Sequence, residues 1–312
     1  MSGSPPFVVM YHHVRPQDSV IPNGIRPILL PDFEGQLDRL SESHDIVSPA
    51  EAVAGRSRRP SCVLTFDDGT RDHADVVLPV LRRRGITGVF FLLSGPWLTA
   101  ELPTAQRVHL LLSSLDDVEL WSKVREAALG LGLDEDALGT AEAAESVYHH
   151  EDSYERRRIK YAVNFALPKS AVDEMLGALI AEHVGDEASL VGEWFLSQDD
   201  ARALHGAGMT IAAHGHSHTA LARLSPDALE AEIRSCHETL SNVTGVAPEW
   251  FAPPFGGAGA RVETLERLDR VLDALGYKGV FVIGDDPGPH AGARRLPRIA
   301  RVDAAALFDR DP

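Results

Sequence analysis

The chain has 312 residues, 44% of them hydrophobic and 24% charged, which is typical of a globular protein with one large domain or two ordinary ones. Its formal net charge of −16 leaves no basic excess to displace the counterions of a nucleic acid or an anionic membrane, so we expect neither as a partner. No signal-type N-terminal segment and no run of eighteen apolar residues occurs, which predicts a cytoplasmic protein without membrane insertion.

The first hundred residues alternate predicted strands with predicted helices. Hydrophobic periodicity predicts strands over 7–11, 63–69 and 88–93, and helices over 33–40 and 73–84. A strand, a helix and a strand at this spacing form a βαβ unit, and a βαβ unit predicts parallel pairing.

The next hundred residues have a different pattern. From about residue 99 to residue 196 nearly every segment has helical periodicity, and no strand pattern interrupts it. We interpret residues 99–196 as a helical insertion or lid. The main domain would then be discontinuous, with residues 1–98 and 197–312 on either side of the insertion.

The alternation of strands and helices resumes after the insertion. Strands are expected over 209–213, 249–252 and 279–283, and helices over 225–245 and 260–275. A last segment, with no element assigned to it, runs over 295–299. The two cysteines, Cys62 and Cys236, lie beside or within these apolar patterns, which indicates small core residues rather than a disulfide.

Two adjacent carboxylates, Asp67 and Asp68, stand where a predicted buried strand ends. Adjacent carboxylates repel one another, and a metal ion bound by one of them offsets that repulsion and leaves the other free as a base. Gly69 allows the sharp turn that would direct both side chains into one cleft. The alternative interpretation is a solvated turn at the end of a strand.

Other polar groups also follow predicted strands, and the carboxyl ends of parallel strands form the active-site face of α/β folds. His12 ends the first strand, and His214 and His218 follow a later one. Two imidazoles and the Asp68 carboxylate suit zinc, and also cobalt, nickel or iron(II). The alternative is that this histidine-rich loop is merely polar surface.

Three segments resemble the first three motifs of the polysaccharide deacetylase family, which is also called carbohydrate esterase family 4 or the NodB-homology domain. These segments are Thr65–Gly69, His214–His218 and Phe251–Gly256. The resemblance implies a distorted (β/α)7-type barrel and a divalent metal ion held by Asp68, His214 and His218. It also implies that Asp67 is the general base and that the backbone N–H of Phe255 stabilises the oxyanion.

The sequence departs from the family pattern in two places. The late Leu-x-His motif that supplies the general acid is not visible, and only His290 is present in that region; the third motif begins with Ala252 instead of arginine. A branch of the family that opens with a strand ending in Tyr-His, as Tyr11-His12 does, resembles biofilm poly-N-acetylglucosamine deacetylases.

In that branch the early histidine is the acid. We therefore expect His12 to be the general acid, ahead of His290 and His13, with a buried structural histidine as the alternative. Arg298 is expected, from its position alone, to restrain Asp67 in place of the missing arginine.

The resemblance thus implies a hydrolase that removes an N-acyl group, acetyl or formyl, from an amino sugar, with Asp67 accepting a proton from a metal-activated water. Because the aromatic content is 6%, we expect a small intracellular N-acyl amino sugar rather than a long glycan. The alternatives are an amidohydrolase of ureides or imides, and a non-catalytic barrel that binds a protein partner through the helical insertion.

Overall fold

The computed structural model describes residues 6–20, 24–55, 57–148, 153–257, 260, 262–283 and 296–308. Its strands are β1 (Phe7–Tyr11), β2 (Val14–Arg15), β3 (Ile28–Leu29), β4 (Asp45–Ile46), β5 (Ser61–Phe66), β6 (Val89–Leu92), β7 (Thr210–Ala213), β8 (Trp250–Phe251), β9 (Gly279–Ile283) and β10 (Arg298–Asp303).

Seven parallel strands close into a barrel. The order runs β1, β5, β6, β7, β8, β9, β10, and β10 pairs again with β1. Val9 is registered with Leu64 on one side and with Val302 on the other, which closes the ring. The short β4 extends the edge of β5, and β2 pairs with β3 outside the barrel. The predicted distorted (β/α)7-type barrel is confirmed.

Fourteen α-helices occur within the described ranges. They are α1 (Leu30–Ser43), α2 (Pro49–Ala54), α3 (Leu78–Arg84), α4 (Gly95–Thr99), α5 (Thr104–Ser114), α6 (Asp117–Gly130), α7 (Ala141–Val147), α8 (Tyr154–Tyr161), α9 (Lys169–His183), α10 (Glu187–Trp194), α11 (Gln198–Gly206), α12 (Pro226–Thr244), α13 (Val262–Ala274) and α14 (Ala304–Phe308). None of them is long and apolar enough to cross a lipid bilayer.

Alternation along the strands divides the barrel core into two layers. Val8, Val63, Phe91 and Phe281 belong to one buried cluster, which fills the barrel interior. Their neighbours in sequence, such as Val9 and Leu64, belong to a second cluster that also includes side chains of the surrounding helices. The two cysteines are free and buried, as expected.

The helices between residues 99 and 196 pack around a third apolar cluster. Buried residues of α5, α6, α9 and α10 form this cluster, together with Ile25 and Leu93 from outside that segment. Arg107 on α5 ties these helices together, because its guanidinium contacts Asp173 on α9 at 3.2 Å and Glu187 on α10 at 2.7 Å.

The expected elements and the observed ones differ mainly at their ends. The helix expected over 73–84 begins as a π-helical turn, His73–Val77, before α3. Pro79 has no N–H to donate, so a regular α-helical ladder cannot run through this point. The last strand, β10, occupies 298–303 and so extends beyond the last segment noted in the sequence, 295–299.

Candidate metal centre and active site

The carboxylate pair lies at the carboxyl end of β5, inside the barrel mouth. Asp67 and Asp68 are 2% and 6% exposed, so neither is a solvated turn residue. Asp68 and Gly69 both have positive φ, 74° and 71°. A non-glycine residue in this conformation carries strain, and such strain concentrates at functional sites. A Cβ at position 69 would lie 3.0 Å from the Leu92 side chain, so the turn also needs glycine for space.

A second loop, after β7, delivers two imidazoles to the same place. His214 follows the end of β7 directly, and His218, with φ of 57°, ends the loop. Glu232 on α12 fixes the loop from beneath: its Oε1 accepts the backbone N–H groups of His216 at 2.7 Å and Ser217 at 2.6 Å. The loop backbone between the two histidines is therefore held at its centre.

Asp68, His214 and His218 form a compact, buried cluster of potential metal ligands. The Nε2 atoms of both histidines lie 3.3 Å from Oδ1 of Asp68, and the three ligand atoms all lie within 4.8 Å of one another. The sequence-based prediction that these three side chains converge agrees with this geometry.

The donor set fits a divalent cation. Nδ1 of His214 lies 2.7 Å from the carbonyl oxygen of Ala252, which can only accept, so Nδ1 carries a proton and Nε2 is the nitrogen that faces Asp68. Oδ1 of Asp68 is buried and has no hydrogen-bond partner among the described residues. Imidazole nitrogens and a carboxylate oxygen that face one another in a buried site need a cation between them, either a proton or a metal ion.

The ionisation of these groups indicates a strongly negative site. Burial alone would lower the pKa of His214, but Asp67 and Asp68 outweigh burial and raise it. Burial raises the pKa of Asp68, yet His218 and His214 hold it well below its usual range. The field that draws a proton to His214 also attracts a metal ion, which would displace that proton.

Asp67, the expected base, is separate from the cluster and pairs with Arg301. Nη1 of Arg301 lies 2.6 Å from Oδ1 of Asp67, and the Arg301 side chain is fully buried, over the Phe91 ring. Burial raises the pKa of Asp67, but the Arg301 guanidinium, followed by His214 and His12, lowers it below its ordinary value. Asp67 is therefore held as a carboxylate despite its burial.

The expectation for Arg298 is corrected by this finding. Arg298 forms an ion pair with Asp269 on α13 at 2.7 Å, and does not pair with Asp67. In β10, Ile299 is registered with Phe281 of the barrel interior, and Arg301, two residues further on, points to the same side of the strand. Arg298 points to the opposite side, toward the helices. The segment noted in the sequence, 295–299, ends before Arg301.

His12 lies at the end of β1, half-buried. His12 contributes to lowering the pKa of Asp67, although burial, which raises that pKa, and Arg301 and His214, which lower it, have larger effects. His12 therefore lies within electrostatic range of the expected base. His73 contacts its backbone: Nε2 donates to the His12 carbonyl oxygen at 2.7 Å. His13 instead faces Asp72, at 3.9 Å. The other candidate acid, His290, lies outside the described residues.

Phe255 closes the site on the side of the third motif. Its φ of 56° is positive, and its ring lies 5.0 Å from the His218 ring and 5.4 Å from Phe165 of the helical insertion. The oxyanion role expected for its backbone N–H stays a prediction.

The sequence analysis did not identify two residues that contact the site, Arg301 and Gln106. Gln106, on α5, donates from Nε2 to Oδ2 of Asp68 at 3.1 Å. No local pattern marks this glutamine, because its partner lies 38 residues away. Arg301 could have been found by extending the alternation of the last strand.

A parallel barrel holds a carboxylate pair and two imidazoles at the carboxyl ends of its strands, an arrangement that suits a metal-dependent hydrolase. The polysaccharide deacetylase family model matches residues 54–126 and 164–280, which is more than half of the chain. The chain therefore belongs to the polysaccharide deacetylase family, whose substrates are carbohydrates. These deacetylases depend on a metal ion, and the Asp68–His214–His218 cluster supplies ligands for one.

Solved structures share the fold over nearly the whole chain. The Streptococcus pyogenes deacetylase PplD, determined in complex with acetate, has 16% identity and a TM-score of 0.54, and the match covers 98% of each chain. IcaB from Ammonifex degensii has 18% identity and a TM-score of 0.52, over 97% of this chain and 92% of that one.

Among curated proteins, the uncharacterized protein YlxY of Bacillus subtilis (strain 168) is 25% identical over 99 residues. That match spans 31% of this chain and 31% of YlxY. The similarity to YlxY is therefore limited to a short region.

Proposed function

We propose that this chain removes the acyl group, acetyl in the first instance, from an N-acyl amino sugar, with Asp67 as general base and His12 as general acid. The observation that carries the proposal is the division of labour between two adjacent carboxylates. Asp68 faces two imidazoles as a metal ligand, while Asp67 is buried, paired with Arg301 and outside the ligand cluster.

Asp68, His214 and His218 would hold one divalent ion, and zinc suits a set of two imidazoles and one carboxylate. When bound, the ion supplies Lewis acidity and lowers the pKa of water. Asp67, kept ionised by Arg301, accepts the proton of the attacking water, whose oxygen bonds to the acyl carbon. The backbone N–H of Phe255 donates to the carbonyl oxygen as it gains negative charge.

Cleavage of the carbon–nitrogen bond requires an acid, because an unprotonated amine anion is a very poor leaving group. His12 donates that proton to the departing nitrogen, and the products are a carboxylic acid and the free amino sugar. The His73 contact to the His12 carbonyl, together with the Val14 N–H that donates to Asp72 at 2.6 Å, fixes the backbone on both sides of residue 13. This end of β1 is rigid, as a proton donor requires.

We further propose that the substrate is compact, either a single N-acyl amino sugar or the end of a chain. The helical insertion contacts the site through Phe165 and Gln106. A cavity of about 100 Å³ lies between the insertion and the barrel, lined by Ala105, Val108, His109, Tyr148, Lys160, Asn164 and Phe255. A site that the helical insertion covers on one side suits a compact group better than the middle of a long polymer.

The proposal is tested by mass spectrometry of acid and amine release from the zinc-loaded protein. The panel holds N-acetyl and N-formyl monosaccharides, a nucleotide-linked N-acetyl amino sugar, a β-1,6-linked and a β-1,4-linked N-acetylglucosamine oligomer, and a cyclic imide. We expect release from an amino sugar, lost in Asp67→Asn. Release from the imide alone would contradict the proposal, and release from internal residues of the oligomers alone would contradict the compact substrate.

The role of His12 has a separate signature. In His12→Ala we expect kcat on an amide to fall by about 10²- to 10⁴-fold, the typical contribution of a general acid, with zinc affinity unchanged. An acyl ester of a good leaving group needs no acid and should lose much less. An equal loss on amide and ester would contradict the assignment. His13→Gln is the matched control, since His13 faces Asp72.

A further inference from the structure

Gln106 is the point at which the helical insertion reaches the metal ligands. The side chain lies in the first turn of α5 and is 1% exposed. Its Nε2 lies 3.1 Å from Oδ2 of Asp68, while Oδ1 of the same carboxylate faces the two imidazoles at 3.3 Å. The two oxygens of Asp68 therefore have different partners, and Gln106 holds the one turned away from the histidines.

The amide of Gln106 is oriented by chemistry. An ionised carboxylate only accepts hydrogen bonds, so the NH₂ end of the amide must face Asp68. The amide oxygen, Oε1, is buried and has no hydrogen-bond partner within the described ranges. A leucine of similar size would fill the same space without an unsatisfied polar atom, so packing does not explain a glutamine here.

The backbone that carries Gln106 is fixed by the rest of the insertion. The next residue, Arg107, is buried and contacts both α9 and α10, through Asp173 and Glu187. Glu187 also accepts the backbone N–H of Leu102 at 2.7 Å, just before α5 begins. Three helices of the insertion thus set the position from which Gln106 reaches the barrel.

We infer that Gln106 is a positioning residue for the metal ligand Asp68, and that it couples the helical insertion to occupancy of the metal site. It restrains Oδ2 so that Oδ1 stays directed at His214 and His218. The inference rests on the proposed function only in requiring that the cluster binds a divalent ion. Restraints of this kind on a metal ligand typically change metal affinity or activity by 10- to 100-fold.

The first test measures zinc affinity by competition with a chromophoric chelator. In Gln106→Leu and Gln106→Met we expect the zinc Kd to rise about 10- to 100-fold, while the melting temperature of the zinc-free protein falls no further than in a truncation of a buried apolar side chain of α5. Leu111→Ala is the matched control, because it truncates a fully buried side chain of the same helix away from Asp68. It should lower the melting temperature and leave Kd unchanged.

An unchanged Kd in both Gln106 variants would overturn the inference. So would a rise of Kd that Leu111→Ala shares, because general loosening of α5 would then explain it.

A second test needs no variant and decides the matter if the Gln106 variants do not fold. Amide hydrogen exchange of the wild-type chain is compared with and without zinc. We expect zinc to slow exchange over 104–114, far from the ligands in sequence. Exchange there that is indifferent to zinc, while the His214–His218 loop becomes protected, would overturn the coupling. A wild-type chain that binds no divalent ion would instead overturn the proposed function itself.

Discussion

At the scale of single residues, the site depends on keeping a fully buried carboxylate charged. Burial favours the neutral form of Asp67, and a neutral carboxylic acid cannot accept a proton from water. Arg301 reverses this preference because its guanidinium is always protonated and lies in the same interior, at 2.6 Å. Arg301 thus sets the pH range in which the base functions.

Replacing Arg301 with methionine should therefore raise the pKa of Asp67 and move the acid limb of the kcat/KM profile to higher pH. Breaking a buried ion pair costs about 3–5 kcal/mol of stability, because one charge is left uncompensated. Arg298→Met is a close control, since it breaks the similarly buried pair with Asp269. It should cost comparable stability, measured by urea unfolding, without moving the pH profile.

If Arg301→Met does not fold, Arg301→Lys is used instead, because lysine keeps the positive charge but carries it on an ammonium group rather than a planar guanidinium. We then expect a smaller shift of the acid limb in the same direction. An acid limb at its wild-type position in both variants would contradict the role of Arg301.

The residues of the site were predictable where adjacency or strand ends marked them. Asp67 and Asp68 stood out because two neighbouring carboxylates are unfavourable without a cation. His214 and His218 followed a strand, where side chains of several segments converge. Arg298 was the wrong choice because inward and outward residues alternate, so an error at a strand end exchanges the two faces. Gln106 could not be predicted, since only folding brings α5 to β5.

At the scale of elements, α12 supports the metal site without contributing a ligand. Its Glu232 accepts two backbone N–H groups of the His214–His218 loop with Oε1, and the Ser217 hydroxyl with Oε2 at 3.0 Å. Gly215 allows this approach. Its φ is 94°, and a Cβ at this position would lie 3.0 Å from Oε1 of Glu232. A charged acceptor that binds several N–H groups gives the loop a fixed shape.

Glu232→Ala should consequently loosen the loop and weaken zinc binding by about tenfold, the lower end of the range for residues that orient metal ligands. We also expect a loss of about 1–3 kcal/mol in unfolding free energy, because two backbone donors lose their acceptor. Glu230→Ala is the control on the same helix, since Glu230 pairs with Arg234. Equal zinc affinities of the two variants, measured by chelator competition, would contradict this role of α12.

The elements themselves were predictable to different degrees. Long periodic segments such as α12 were correctly predicted, because Ser225, Pro226 and Gly245 mark its ends and one apolar face runs between them. The strands β2, β3 and β4 have two residues each and were missed. A two-residue strand has no periodicity, and it forms only because a neighbouring strand offers its edge.

At the scale of the whole molecule, the insertion and the barrel meet around the cavity beside the metal site. His109 on α5 donates from Nδ1 to the carbonyl oxygen of Gly24, in the loop between β2 and β3. There is no room for a larger residue at position 24, because a Cβ would collide with the backbone of His109. Phe165 of the insertion adds an aromatic contact with Phe255. These contacts join the insertion to the rest of the chain.

This junction should be sensitive to acid. Burial, followed by Lys160 and His13, lowers the pKa of His109 from 6.5 to about 3 in the folded chain. Below pH 6.5 the unfolded chain therefore binds a proton that the folded chain does not accept until about pH 3. Each pH unit in that window removes up to about 1.4 kcal/mol of stability, so stability falls as pH falls.

His109→Gln keeps a donor for the Gly24 carbonyl oxygen but does not titrate, so it should be less destabilised by acid than the wild-type chain. The stability of each protein is measured by urea unfolding at about pH 7 and about pH 5. We expect the wild type to lose roughly 1–3 kcal/mol more between these two pH values than His109→Gln does. His205→Gln, on α11 outside the junction, should lose as much stability as the wild type. If His109→Gln lost as much stability as the wild type and His205→Gln, the acid sensitivity would lie elsewhere in the molecule. The neutral, buried imidazole of His109 would then not be the cause of the loss of stability at low pH.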